Sequence, residues 1–123
     1  MTILLCTEET ILLTSLEYRF RKAGWRLELA HDQETALAKS KKEAPALVVV
    51  DLRMPEGQGL DIVHRIHKDI DPTMPILVAG SLKDKKLLME ALRLGGQDFI
   101  TAPYLPDELT LRIHCLLEKK VVV

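Results

Sequence analysis

A run of apolar residues that ends in a carboxylate is the feature that most constrains the fold of this chain. Residues 46–50 read ALVVV, and Asp51 follows directly. A segment that is apolar at every position is typical of a strand buried on both faces, as in a parallel sheet. Because a charge inside such a strand would lose its hydration, we expect Asp51 at the carboxyl end of the strand, facing a solvent-filled crevice. A carboxylate in that place could accept a phosphoryl group or hold a metal.

Strand-like and helix-like patterns alternate along the whole chain. Strands are predicted over residues 3–6, 25–30, 46–50, 76–79 and 98–102, and helices over residues 10–23, 32–42, 59–70, 84–94 and 106–119. This alternation requires right-handed crossovers and a parallel sheet that is covered on both faces. We therefore predict one α/β domain over residues 1–123, a flavodoxin-like (βα)5 doubly wound sheet with strand order 2-1-3-4-5. In that order the ends of the first and third strands meet, which brings Glu8 and Glu9 close to Asp51.

Composition limits the class of partner. The chain has 123 residues and a formal net charge of −1, so no strong field would attract nucleic acid or a membrane. The polar residues from Thr7 onward interrupt the apolar start, unlike a signal peptide, and no apolar run approaches the length of about 20 residues that a bilayer requires. Cys6 and Cys115 are far apart and are predicted to be buried free thiols, which suits a reducing compartment. We expect a cytoplasmic protein.

Four segments carry a resemblance to a known family: ILLCTEET, VVVDLRMPEGQGLD, MPILVAGS and GGQDFITAPYLPDEL. The most specific part is the D-x-x-M-P-x-x-x-G spacing, which is formed here by Asp51, Met54, Pro55 and Gly59. Along its whole length the chain resembles the CheY-like receiver domain of two-component response regulators. The resemblance implies a phosphorelay signalling function, with Asp51 as the acceptor of a phosphoryl group from a histidine kinase.

The resemblance also implies a set of groups around that aspartate. In the family, two acids after the first strand and a main-chain carbonyl hold Mg²⁺, a cation that prefers oxygen ligands. The corresponding ligands here are Glu8, Asp51 and the main-chain carbonyl of Arg53. A lysine and a hydroxyl usually complete the site, and the metal and the lysine neutralise charge on the transferring phosphoryl group.

Several positions of this chain depart from that pattern. Thr7 stands where the first acid is usual, Gly80 where the hydroxyl is usual, and Ala102 where the lysine is usual. Phe99 occupies the position of the switch aromatic residue, without the hydroxyl of the commoner tyrosine. We therefore expect a degenerate, pseudo-receiver-like site with impaired phosphorylation and weak Mg²⁺ binding.

Three nearby residues are candidates to replace the missing groups. The hydroxyl of Ser81 could turn inward if the loop after the fourth strand bends. Arg53 or Lys83 could swing over the site as a replacement cation. For Arg53 the alternative is an exposed side chain at the rim of the crevice.

The family contacts its partners through the face formed by the fourth helix, the fifth strand and the fifth helix. On this chain the resemblance assigns to that face Leu87, Leu88, Glu90, Ala91, Tyr104, Leu109 and Arg112. The expected partners are a histidine kinase or phosphotransfer protein and a further protein at this face, with no nucleic acid and no membrane.

Two functions therefore stay open from sequence. The first is a phosphoacceptor receiver, which is not an enzyme beyond its self-catalysed phosphoryl transfer and dephosphorylation. The second is a pseudo-receiver that keeps the fold as a phosphorylation-independent protein-binding module. The sequence does not distinguish a stand-alone receiver from a part of a longer protein.

Overall fold

The computed structural model describes residues 1–118, in which a five-stranded parallel sheet lies between two layers of helices. The strands are β1 (Thr2–Cys6), β2 (Arg26–Ala30), β3 (Leu47–Asp51), β4 (Ile76–Gly80) and β5 (Asp98–Thr101). The helices are α1 (Leu13–Lys22), α2 (Gln33–Lys42), α3 (Gln58–Arg65), α4 (Lys85–Leu94) and α5 (Pro106–Glu118). The strand order is β2-β1-β3-β4-β5, which confirms the predicted flavodoxin-like topology.

Both faces of the sheet are buried, as the unbroken apolar run predicted. Successive side chains of β3 point to opposite faces, so Val48 and Val50 pack on one side and Leu47 and Val49 on the other. Helices α2, α3 and α4 cover the first side, and α1 and α5 cover the second. Strand β3 lies between β1 and β4 at the centre of the sheet, which places Asp51 at the middle of its carboxyl edge.

Two helices differ from their predicted bounds by more than one residue. The segment before α1 forms turns, because the Glu9 side chain accepts a hydrogen bond from the main-chain N–H of Ile11 and holds these residues outside the helix. The helix α3 passes into a π-helical turn over Ile66–Ile70, in which the N–H of Asp71 donates to the carbonyl of Ile66. The last helix was predicted to reach residue 119, which lies outside the described residues.

The prediction for the cysteines is half confirmed. Cys6 is buried in β1, and burial raises the pKa of its thiol to about 12. Cys115 is exposed, because it lies on the outer side of α5 while Ile113 and Leu116 face the sheet. Within residues 1–118, no helix combines the length and the apolar character needed to cross a bilayer.

Candidate functional site

Asp51 is the last residue of β3, and its side chain is nearly enclosed, with 3% of the residue exposed. The chain turns immediately after it, and α3 begins so close that a Cβ on Gly59 would lie 2.8 Å from the Asp51 carbonyl oxygen. The glycine of the D-x-x-M-P-x-x-x-G segment is therefore required by backbone approach. Asp51 opens into a cleft that is also lined by Glu8, Glu9, Arg53 and Met54. The predicted juxtaposition of the two acidic positions with Asp51 is confirmed.

Four hydrogen bonds converge on the Asp51 carboxylate. Oδ1 accepts from the main-chain N–H of Arg53 at 2.9 Å and from its Nε at 3.0 Å. Oδ2 accepts from Arg53 Nη2 at 3.0 Å and from the Thr7 hydroxyl at 2.8 Å. A carboxylate offers about four lone-pair positions, so the acceptor capacity of Asp51 is essentially filled within the protein.

Arg53 is the cation of this site. Its guanidinium binds both oxygens of Asp51 in a forked arrangement, which is the strong form of an arginine–carboxylate pair. The hydrogen bond with Asp51 raises the pKa of Arg53 above its usual value. Arg53 is exposed at the cleft rim, as the alternative had it, and its guanidinium is nevertheless paired with Asp51, as expected of a replacement cation.

Thr7 reaches Asp51 from the neighbouring strand end. The residue is 1% exposed, and its hydroxyl donates to Asp51 Oδ2 while it accepts the main-chain N–H of Glu9. From sequence, Thr7 was noted only because it replaces the first acidic residue of the family. Its role as a hydrogen-bond donor to Asp51 was not predicted. The signal available was its place directly after β1, the strand that pairs with β3.

The other two proposed substitutes, Ser81 and Lys83, are not hydrogen-bond partners of the carboxylate. The Ser81 hydroxyl accepts a hydrogen bond from the main-chain N–H of Lys83 at 3.1 Å, so these two residues contact each other in the loop after β4. Neither contributes to the four hydrogen bonds that fill Asp51. The Ser81 hydroxyl is thus engaged within its own loop.

Gly80 and Ala102 are adjacent at the ends of β4 and β5, and the Ala102 N–H donates to the Gly80 carbonyl at 2.8 Å. A Cβ on Gly80 would lie 2.9 Å from Leu88 Cδ2 and 3.3 Å from Leu52 Cδ1. Leucine side chains thus fill the space where a hydroxyl-bearing side chain would begin. The Ala102 methyl is half-buried and packs against the core under α1 and α5.

Tyr104 is a neighbour of the site that the sequence placed elsewhere. It is buried, and burial together with the charge of Asp51 raises the pKa of its hydroxyl to about 12. It lines a second cleft with Arg53, Glu9 and Pro103. Only the tertiary structure reveals this position, because Tyr104 follows β5 and approaches Asp51 from across the sheet edge.

The residues present do not fit a divalent cation in this arrangement. A guanidinium covers both oxygens of Asp51, and Thr7 offers a neutral hydroxyl that already donates to one of them. Glu8 and Glu9 are exposed, and the described part of the chain contains no group of three or more His, Cys, Asp or Glu residues that could hold a metal. The predicted ligand set of Glu8, Asp51 and the Arg53 carbonyl is therefore not assembled here.

Comparison with known proteins identifies the family. Residues 3–114 match the model of the response regulator receiver domain. The chain belongs to this family. The receiver domain is 29% identical to the probable transcriptional regulatory protein TcrX of Mycobacterium tuberculosis, over 97% of this chain and 50% of that protein. It is 35% identical to the probable transcriptional regulator ycf27 of Porphyridium aerugineum, over 95% of this chain and 48% of that protein.

Solved structures agree with this assignment. The receiver domain superimposes on the signal receiver domain of a response regulator from Bermanella marisrubri with a TM-score of 0.82 and 30% identity, covering 94% of this chain and 97% of that one. The chain spans about half the length of the curated relatives it matches. Receiver domains of two-component systems interact with histidine kinases or phosphotransfer proteins, and they generally bind Mg²⁺ at the phosphorylation site.

The predicted partner face of this receiver domain stays a prediction, and the structure sorts its members by exposure. Four of its seven members are buried, and they are Leu88, Ala91, Tyr104 and Leu109. They face the sheet because each helix presents its apolar stripe inward. Arg112 is exposed, while Leu87 and Glu90 are half-buried. Phe99 is half-buried on β5 and packs on the α3–α4 side, and its role as a switch stays a prediction.

Proposed function

We propose that this receiver domain takes a phosphoryl group on Asp51 from a histidine kinase or phosphotransfer protein, and that the transfer is slow. The proposal rests on one observation, a buried carboxylate at the cleft edge of β3 whose acceptor positions are all filled by Arg53 and Thr7. Its location supports the acceptor role, and its saturated hydrogen bonding supports the low rate.

The reaction needs one oxygen of Asp51 as the nucleophile. That oxygen attacks the phosphorus of a phosphohistidine, an O–P bond forms, the P–N bond breaks, and the imidazole leaves with the bonding electron pair. Arg53 donates to both carboxylate oxygens and lies where it could pair with the oxygens of the arriving phosphoryl group. It would then supply positive charge in place of the lysine that Ala102 lacks.

Two features slow this step. The attacking oxygen must first give up a charge-assisted hydrogen bond, since both oxygens are engaged. In addition, Ala102 and Gly80 provide neither an ammonium nor a hydroxyl to the transferring group. Loss of one preorganised donor to a developing charge typically costs about a hundred- to a thousandfold in rate. We infer a degenerate site with impaired phosphorylation on these grounds.

A second candidate is a pseudo-receiver, a phosphorylation-independent protein-binding module. The observation that favours it is the forked pair itself. Asp51 is buried, and Arg53 already compensates its charge, so the resting site is complete without a phosphoryl group. A domain that only binds a partner would have no need to break this pair.

The two candidates differ in whether Asp51 is labelled. Intact mass is measured after incubation with acetyl phosphate, with and without Mg²⁺, for the wild-type protein and for Asp51→Asn. A receiver that carries the usual lysine and hydroxyl is the positive control. We expect a single phosphoryl adduct on the wild type, formed about a hundredfold more slowly than on the control receiver, and none on Asp51→Asn.

Other results would overturn the acceptor proposal. An equal adduct on Asp51→Asn would place the label on another residue. No adduct on the wild type with acetyl phosphate, and none from a panel of purified histidine kinases that label the control receiver, would favour the binding module.

We further propose that the domain acts through protein contacts in the cytoplasm and has no enzymatic activity on an external substrate. Its formal net charge of −1 gives no electrostatic reason for nucleic-acid or membrane binding. The transcriptional roles in the names of the relatives belong to proteins about twice as long, and we do not extend them to this domain.

A further inference from the structure

We infer that Arg53 is a built-in counter-ion that excludes divalent cations from the Asp51 cleft. The inference concerns the proposed acceptor residue, and its relevance to signalling rests on the proposed function. In this reading, the Arg53–Asp51 pair and a bound cation are alternative occupants of one carboxylate. The resting domain would therefore keep its phosphorylation site in a metal-free form.

The donors around Asp51 leave no free oxygen position for a cation. Arg53 Nε lies 3.0 Å from Oδ1, and Arg53 Nη2 lies 3.0 Å from Oδ2. The remaining acceptor positions hold the Arg53 main-chain N–H at 2.9 Å and the Thr7 hydroxyl at 2.8 Å. A hard cation needs a free lone pair on its oxygen ligand. It could reach Asp51 only after at least one of these donors has moved away.

The net charge next to Asp51 also disfavours a cation. Asp51 and Arg53 together are neutral, and Thr7 contributes a neutral hydroxyl. The negative charge left at the cleft comes from Glu8 and Glu9, both of which are exposed and well hydrated. Exposed carboxylates attract a cation only weakly at physiological ionic strength. An arriving divalent ion would also meet the positive guanidinium at the place where it must bind.

Arg53 and Asp51 are close in sequence, which favours their pairing. Only one residue separates Arg53 from Asp51, and the main-chain N–H of Arg53 binds the same carboxylate as its side chain. The guanidinium is thus held near its partner by the turn after β3, and little chain entropy opposes the pairing. The Asp51 side chain is 5% exposed and that of Arg53 is 38% exposed, so solvent reaches the pair only from the arginine side.

The test measures Mn²⁺ binding without any phosphodonor, so it can fail independently of the proposed function. Free Mn²⁺ is followed by electron paramagnetic resonance during titration of the wild type, Arg53→Ala and Arg53→Gln. The glutamine variant keeps a polar side chain of similar direction and removes the charge together with the forked guanidinium donors. Arg93→Ala is the matched control, because it removes an exposed arginine whose carboxylate partner, Glu90, is remote from the cleft in sequence and lies on α4.

We expect Arg53→Ala and Arg53→Gln to bind Mn²⁺ at least about tenfold more tightly than the wild type, since removal of one unit positive charge next to the ligand relieves direct repulsion. Arg93→Ala should match the wild type, and adding Asp51→Asn to Arg53→Ala should abolish the gain. Far-ultraviolet circular dichroism confirms that each variant is folded. Three results would overturn the inference: equal affinity of the wild type and both Arg53 variants, an equal gain in Arg93→Ala, or a gain that survives Asp51→Asn.

Discussion

Two side chains determine the chemistry available at Asp51. Arg53 comes from the turn that follows β3 and binds both carboxylate oxygens. Thr7 comes from a strand end 44 residues earlier and donates to the same carboxylate. Hydrogen bonds to a buried charge are among the stronger ones in proteins, so both oxygens of this carboxylate are firmly held. In the function that we propose, one of them becomes free to attack only when Arg53 moves.

A lysine at position 102 should restore part of the missing charge stabilisation. Ala102 is half-buried beside Gly80 at the sheet edge, where the family resemblance places the lysine. We expect Ala102→Lys to raise the rate of labelling by acetyl phosphate by about tenfold or more, measured by intact mass over time. Thr101→Lys is the control, because successive side chains of a strand point to opposite faces. An equal rate for both variants would contradict the prediction.

At the scale of elements, short local interactions set where the helices begin. Asp32 caps α2 by accepting the main-chain N–H of Thr35 at 2.8 Å. Asp84 caps α4 in the same way through the N–H of Leu87 at 3.2 Å. Both caps satisfy amide groups that have no partner within the helix. The predicted start of α2 at Asp32 is confirmed because this signal is entirely local.

The Asp32 cap should give the stability of the domain a measurable pH dependence. The hydrogen bond from the Thr35 main chain holds the pKa of Asp32 below its ordinary value of 3.8. The stabilisation is thus complete above that value and is lost as the pH falls through the lower pKa of the folded state. We expect Asp32→Ala to lower the Tm at neutral pH, with a deficit that shrinks as the pH falls below 3.8.

The control for this prediction is Asp32→Asn, which keeps an acceptor oxygen and cannot titrate. Its difference in Tm from Asp32→Ala should stay constant over the same pH range. If Asp32→Ala lowers the Tm by the same amount at neutral and acid pH, the titration of Asp32 does not contribute to the pH dependence of stability.

At the scale of the whole molecule, the two layers of helices decide which residues are available to partners. Leu109 is fully buried against the sheet, whereas Leu111 on the same helix is 65% exposed. Met89 and Leu105 are likewise exposed, although Leu88 and Tyr104 beside them in sequence are buried. The side chains that a partner can touch are therefore often direct neighbours of those that the family resemblance assigned.

Leu109 and Leu111 form a matched pair for testing this division. We expect Leu109→Ala to lower the free energy of unfolding by about 2–5 kcal/mol, because it removes core packing and leaves a cavity. Leu111→Ala should change it by less than about 0.5 kcal/mol, as for most exposed positions. Urea unfolding monitored by the fluorescence of Trp25 measures both. Similar losses for the two variants would contradict the burial of Leu109 in the core.

Much of the fold could be predicted without the structure. The apolar run before Asp51, the alternation of strand and helix patterns, and the cap residues are local signals that define a parallel sheet with Asp51 at its edge. Which apolar residues of α4 and α5 are buried and which are exposed could not be predicted, because apolar residues occur on both sides of these helices. Leu109 and Leu111 have the same chemistry, and only the packing of α5 on the sheet separates them.

The sequence by itself determined the strand order, the location of Asp51, and the absence of a lysine and a hydroxyl at the usual positions. These properties follow from residue identity, from the alternation of strand and helix patterns along the chain, and from the common topology of five such strands. Only the tertiary structure decided that Arg53 and Thr7 fill the carboxylate, that Ser81 and Lys83 do not hydrogen-bond it, and that Tyr104 is buried beside the cleft. The reason is physical: a side chain near the edge of a sheet has several directions open to it, and the groups supplied by other strand ends select one of them.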